Sequence, residues 1–247
     1  PMINNKWLIR PLLAASKLPG LWSNHSARKE MVKNADYVFT MSEYEKFRLT
    51  KDYNLNFDSN DVLYPSQYKT LVSRNPCKDL LFIGDIGNPR QNIKRLLGAV
   101  SDTDLSLTLI GGCSDPKILE LTEKYSNVTY LGYLSEENKI KQIQNHKVLV
   151  MPAYTSGFGI GVVEAAEYGL MIVYTKFGGT FNYVNASAIA VNPYSQADLR
   201  SACIRAAQVT SRGCLIEHTS NDLVANLMQG YLEAHKHFAK RKNLCLR

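Results

Sequence analysis

No apolar run in these 247 residues approaches the 18 or so that a membrane-crossing helix requires, so a helical span is excluded. Cysteine is sparse and badly arranged for crosslinking. Cys77, Cys113, Cys203, Cys214 and Cys245 are an odd number, widely spaced, with no Cys-x-x-Cys pair. That pattern argues against a disulfide framework and a zinc site and favours a reducing compartment, the cytoplasm. The five histidines form no His-x-x-x-His pair, and no metal site is expected. There is no internal repeat and no low-complexity segment. No secretory signal precedes the first helix, and Pro1-Met2 suggests that Met2 opens the natural chain.

What is present is ordinary for a globular chain: 45% hydrophobic residues suffice to bury a full core. Net charge is +7, with a basic concentration at His235, Lys236, His237, Lys240, Arg241, Lys242 and Arg247. A solvated tail is the first reading, and peripheral contact with a membrane surface the second. Nucleic-acid binding is disfavoured, because neither a groove-reading motif nor an aromatic-basic sheet pattern accompanies the charge.

Strand-like and helix-like stretches alternate from residue 78 onward, which predicts a parallel α/β sheet. Strands are expected at Leu80–Ile83, Leu107–Ile110, Val128–Leu131, Lys147–Met151 and Ile172–Tyr174. In such sheets ligands sit beyond the C-terminal strand ends. Earlier residues are thinner in signal. They predict helices near Trp7–Leu18, Ala27–Asn34 and Glu43–Tyr53, with short strands near Tyr37–Met41 and Val62–Tyr64. Residues 66–78 read as a connection. An amphipathic helix is expected over Ser220–Lys242, with Leu223, Val224, Leu227, Met228, Tyr231 and Phe238 on one face.

The most informative stretch is Met151–Gly169, which reads Met-Pro-Ala-Tyr-Thr-Ser-Gly-Phe-Gly-Ile-Gly-Val-Val-Glu-Ala-Ala-Glu-Tyr-Gly. The continuous apolar run Lys147–Met151 reads as a buried parallel strand. A glycine turn and a helix opening near Gly161 follow. Unpaired N–H groups and the positive end of the helix dipole then point at whatever lies there, an arrangement suited to an anion. Glu164, one turn inside the helix, could accept hydrogen bonds from a ribose diol. The plainer readings are tight strand–helix packing for the glycines and a solvent-facing carboxylate for Glu164.

This segment resembles the signature of family 4 glycosyltransferases, retaining enzymes of GT-B architecture, whose pattern is Glu-Gly-Phe-Gly-Leu-Pro, two residues, then Glu-Ala. Gly157, Phe158, Gly159, Ile160, Glu164, Ala165 and Gly169 match, while Ser156 replaces the first glutamate and Gly161 the proline. The similarity covers roughly residues 78–195. It includes Leu80–Gly84, Asn92–Leu97, Leu107–Gly112, Val128–Tyr133 and Gly178-Gly179, with weaker likeness at Asn34–Glu43. The resemblance implies a GT-B-like fold: a Rossmann-type parallel-sheet donor domain plus a reduced N-terminal α/β domain. Residues 1–72 would form that reduced acceptor-side domain, 73–219 the nucleotide-sugar domain, and 220–247 a helix crossing back with a basic tail. The acceptor-side part is about half the family's usual length.

The implied activity is retaining, metal-independent transfer of a hexose from a nucleotide-diphosphate sugar, GDP-mannose before a UDP-hexose. The acceptor would be a glycan or a lipid-linked glycan. The nucleotide sugar is a substrate, so no cofactor is expected. A homodimer is the oligomeric alternative to a monomer, and a viral or bacterial source would suit so compact a chain. By the same resemblance Ser156, Gly157, Phe158 and Gly159 form the reacting turn. Gly84, Gly111, Tyr133, Ile160 and Glu164 hold the donor. The family's cations after the first strand are replaced by Asp85 and Gln91, which leaves Arg90, helped by Lys94, as the expected diphosphate contacts. Two non-catalytic alternatives stay open: a donor-binding module without transfer activity, and a basic nucleic-acid binder.

Overall fold

The computed structural model describes residues 29–32, 34–35, 38–54, 62, 75–157, 159–184, 187–209, 225, 227–229, 231–233 and 235–236. The expected helix near Trp7–Leu18 and most of the 66–78 connection lie outside them. Residues 29–32 and 34 are helical, as expected for Ala27–Asn34. Helix α1 spans Glu43–Tyr53, capped by the Ser42 hydroxyl, which accepts from the Glu45 N–H. No strand forms over the described residues 38–41. Thr40 makes a single parallel bridge to Val62, because the chain bends at Met41 and Ser42 to start α1.

From Lys78 the alternation is regular. Strands β1 (Lys78–Ile83), β2 (Leu107–Ile110), β3 (Val128–Tyr130), β4 (His146–Met151), β5 (Met171–Thr175) and β6 (Ile189–Val191) form one sheet. All neighbours are parallel, in the order β3-β2-β1-β4-β5-β6. Helices α2 (Ile93–Val100), α3 (Pro116–Glu123), α4 (Glu136–Asn145), α5 (Ile160–Glu167) and α6 (Gln196–Gln208) connect or flank them. Strand register decides which helix each side chain meets. Leu80, Phe82, Leu107, Leu109, Val148 and Val150 pack toward α2, α3 and α6. The alternate residues Leu81, Ile110, Leu149 and Ile172 pack with α4 and α5 on the opposite face. Both faces are therefore covered, which is why these strands read as unbroken apolar runs.

His146 locks the join between α4 and β4. Its ring is fully buried, with Nδ1 2.5 Å from the Gln142 carbonyl and Nε2 2.8 Å from the Thr108 hydroxyl. In the described part of the last helix, Leu227, Met228 and Tyr231 are exposed.

Candidate functional site

The strand order reverses between β1 and β4, and beside that point the loops after β1, β2 and β3 converge with the first turns of α4. A cleft of about 450 Å³ opens there, lined by Gly84, Asp85, Gly111, Gly112, Tyr133 and Lys139 among others. Glycine is required in its floor. A Cβ on Gly111, at φ +132°, would stand 2.0 Å from the Gly84 carbonyl oxygen. Backbone from two loops can therefore approach a ligand closely. Tyr133 is 88% exposed, and its ring edge lies 3.3 Å from where a Gly112 Cβ would be. Gly84, Gly111 and Tyr133, read from the sequence as separate contacts, thus share one cavity.

Glu164 reaches this cleft through a residue the sequence reading missed. Lys139 of α4 donates to Glu164 Oε1 at 2.9 Å and also pairs with Glu136 at 3.0 Å. Burial works against the Lys139 charge, but the two carboxylates outweigh it and hold its pKa above the ordinary lysine value. Glu164 Oε2 has no partner among the described residues. Local spacing offers Lys139 only Glu136, three positions back; Glu164 is 25 positions away and meets it only once α4 and α5 share a sheet face.

One turn before Glu164 lies the glycine turn. Gly159 is the N-cap of α5 at φ +65°, with no side chain capping the helix, and Ile160 at its first position is exposed. Among the described residues no side chain caps that end, while the Val162 N–H donates back to the Gly159 carbonyl at 2.8 Å. Ser156 is 8% exposed and bridges to Gly178, and its hydroxyl is 3.0 Å from the Thr180 hydroxyl. Its side chain is spent on holding two loops together. Gly157 is exposed beside it, while Phe158 lies outside the described residues.

The cations divide by position. Arg95 is consumed structurally: its guanidinium donates to the Pro193 carbonyl, the Asn92 side chain and the Tyr154 hydroxyl. Arg90 is exposed on the 3-10 turn Pro89–Gln91, and its carbonyl accepts from the Tyr154 N–H, two residues before Ser156. Its side chain has no partner among the described residues. Lys94 is exposed near the start of α2. Neither lines the cleft itself. Gln91 packs beside the Gly84 turn, with Nε2 3.6 Å from the Cβ position of Gly84 and its buried Oε1 without a hydrogen-bond partner among the described residues. An unsatisfied buried acceptor beside a ligand cleft is a place where a donor group gains most. Among the described residues no three His, Cys, Asp or Glu side chains cluster as metal ligands, and no helix is long and apolar enough to cross a membrane.

Residues 77–208 match the family described as Glycosyl transferases group 1. The D-rhamnosyltransferase WbpZ of Pseudomonas aeruginosa is 27% identical over 191 residues, covering 72% of this chain and 49% of that protein. The O-antigen chain mannosyltransferase B of Escherichia coli is 22% identical over 189 residues, covering 66% of this chain and 49% of the other. The chain thus spans about half the length of these curated relatives. Among solved structures, Anabaena HepE in complex with UDP and glucose superposes with a TM-score of 0.63 at 14% identity, over 89% of this chain and 67% of that one. The parallel sheet and these neighbours together place the fold in the GT-B class of α/β architectures.

Proposed function

The chain belongs to the glycosyl transferases group 1 family, and from that premise we propose that it moves a hexose from a nucleotide-diphosphate sugar to a glycan or lipid-linked acceptor. One observation carries the reading: the Gly84–Gly111–Gly112 cleft, the Lys139–Glu164 pair and the uncapped start of α5 lie in sequence along the C-terminal edge of the sheet. Base and ribose belong in the cleft beside Tyr133, with Glu164 Oε2 accepting from the ribose diol. The diphosphate lies between the Gly84 turn and the first N–H groups of α5. Arg90 stands beside the Tyr154 backbone with a guanidinium fork that no described residue engages, and Lys94 adds to its charge. Gln91 Nε2 can donate where the family's pattern has a lysine.

Departure of the diphosphate builds negative charge, which aligned helix N–H groups and Arg90 would stabilise. The sugar left behind passes through an oxocarbenium-like state. These fixed donors serve without a divalent ion, and transfer with retention fits the family pattern on Gly157–Glu164. The mannosyltransferase relative is in keeping with mannose as the sugar moved, and GDP as its carrier, before UDP, rests on the family resemblance.

Calorimetric titration with GDP, UDP, GDP-mannose, UDP-glucose and a DNA oligonucleotide tests this. Binding of one nucleotide family, unaffected by EDTA, is expected. Binding of the oligonucleotide alone would overturn the reading in favour of the basic nucleic-acid binder. Nucleotide binding without donor turnover on any acceptor would leave a binding module.

A further inference from the structure

The glycine turn lacks a negative side chain of its own. Position 156 is a serine, neutral, buried and already paired with Thr180. A carboxylate does reach the turn, from a different part of the chain. The segment Thr40–Glu45 docks against the turn and the Gly178-Gly179 loop. Thr40 and Ser42 are 2% and 0% exposed, and a Cβ on Gly179 would stand 2.4 Å from Ser42 Oγ. Gly179 is therefore small because Ser42 occupies the space. Within this segment Glu45 is held at both ends. Its N–H donates to Ser42 Oγ at 3.2 Å, and its Oε2 accepts from the Met41 N–H at 2.9 Å. The second oxygen, Oε1, has no hydrogen-bond partner among the described residues and lies 3.4 Å from the Cβ position of Gly157.

Capping alone accounts for Oε2 but not for an acceptor-only oxygen aimed at a glycine turn. A carboxylate repels phosphate, so the ligand group it faces is not the diphosphate. The remaining part of a nucleotide sugar is the hexose, which offers hydroxyl donors and becomes positive as its bond to phosphate breaks. We infer that Glu45, from the N-terminal segment, faces the donor sugar at Gly157 and accepts hydrogen bonds from its hydroxyls. It supplies from outside the turn the negative group that Ser156 does not. The assignment rests on the donor-site reading above.

The test compares affinities for a bare nucleotide diphosphate and the matching nucleotide sugar (GDP with GDP-mannose, UDP with UDP-glucose) in wild type, Glu45→Gln and Glu45→Ala. Loss of one charge-assisted hydrogen bond should lower nucleotide-sugar affinity about tenfold in Glu45→Ala. A smaller loss is expected in Glu45→Gln, which keeps an acceptor for Met41. Affinity for the bare nucleotide should stay at the wild-type value in both, which also reports that the donor domain is folded. An unchanged ratio of the two affinities, or an equal loss for both ligands, overturns the role of Glu45 and leaves the donor site standing. A wild type that binds no nucleotide overturns both.

Discussion

In the proposed donor site, Glu164 and Arg90 are the residues whose substitution tests the reading most directly. Glu164→Ala should weaken nucleotide binding about tenfold, the worth of one charge-assisted contact, in calorimetry. The melting temperature should barely move, because Lys139 keeps Glu136 as a partner. Arg90→Ala should lower affinity for a diphosphate well beyond its effect on the monophosphate, and Arg90→Lys should restore only part, since an ammonium lacks the fork. Equal small effects on both ligands would make Arg90 a solvated loop residue. The sequence made the glycines, Tyr133 and Glu164 legible because each follows the C-terminal end of its own strand, after β1, β2, β3 or β4. Lys139 and Glu45 were not legible. Lys139 meets Glu164 across 25 positions, and Glu45 comes beside Gly157 from a distant segment, each brought there by packing rather than by local pattern.

At the scale of elements, glycine placement separates close backbone approach from mere helix content. Gly111→Ala should destabilise by about 2 kcal/mol or more, since both its φ and the Gly84 carbonyl forbid a Cβ. Gly161→Ala meets open space inside α5 and should be neutral or stabilising by about 0.5 kcal/mol in urea denaturation. The α4–β4 join adds a pH term. Burial, with Lys78 nearby and only partly offset by the Gln142 carbonyl and Asp79, lowers the His146 pKa to about 4. Below its usual value of about 6.5, the unfolded chain binds a proton that the folded ring refuses. Stability should therefore decline from pH 6.5 to 4, by up to about 3 kcal/mol, and hold level above that window. His146→Gln should flatten the slope. From Lys78 onward β1, β2, β4 and β5 fell where continuous apolar runs put them, because burial on both faces imposes that pattern, whereas the three-residue edge strand β6 has no such run and was not expected. The failure at 38–41 has the opposite cause: a helix cap at Ser42 turns the chain before a strand can extend.

For the whole molecule, donor binding and stability are linked. A nucleotide at 100 times its dissociation constant should add about 2.7 kcal/mol to unfolding free energy, by mass action on the folded state alone. EDTA should not remove that gain if fixed N–H donors and Arg90 carry the diphosphate; its loss in EDTA and return with magnesium would refute metal independence. The sheet order has a further bearing, on synthesis. The two middle strands, β1 and β4, are linked by the Asp79–Lys147 ion pair across 68 positions of chain. At about 5–20 residues per second, a ribosome leaves several seconds between delivering one and the other. During that interval β1, β2 and β3 can pair, but the β1 flank destined for β4 stays an open row of unpaired amides and carbonyls. The nascent half-sheet is then most adhesive at what will become the centre of the finished protein. Chains interrupted before His146 should aggregate through that flank, and chains ending between Met151 and Met171 through the β4 edge that β5 later covers.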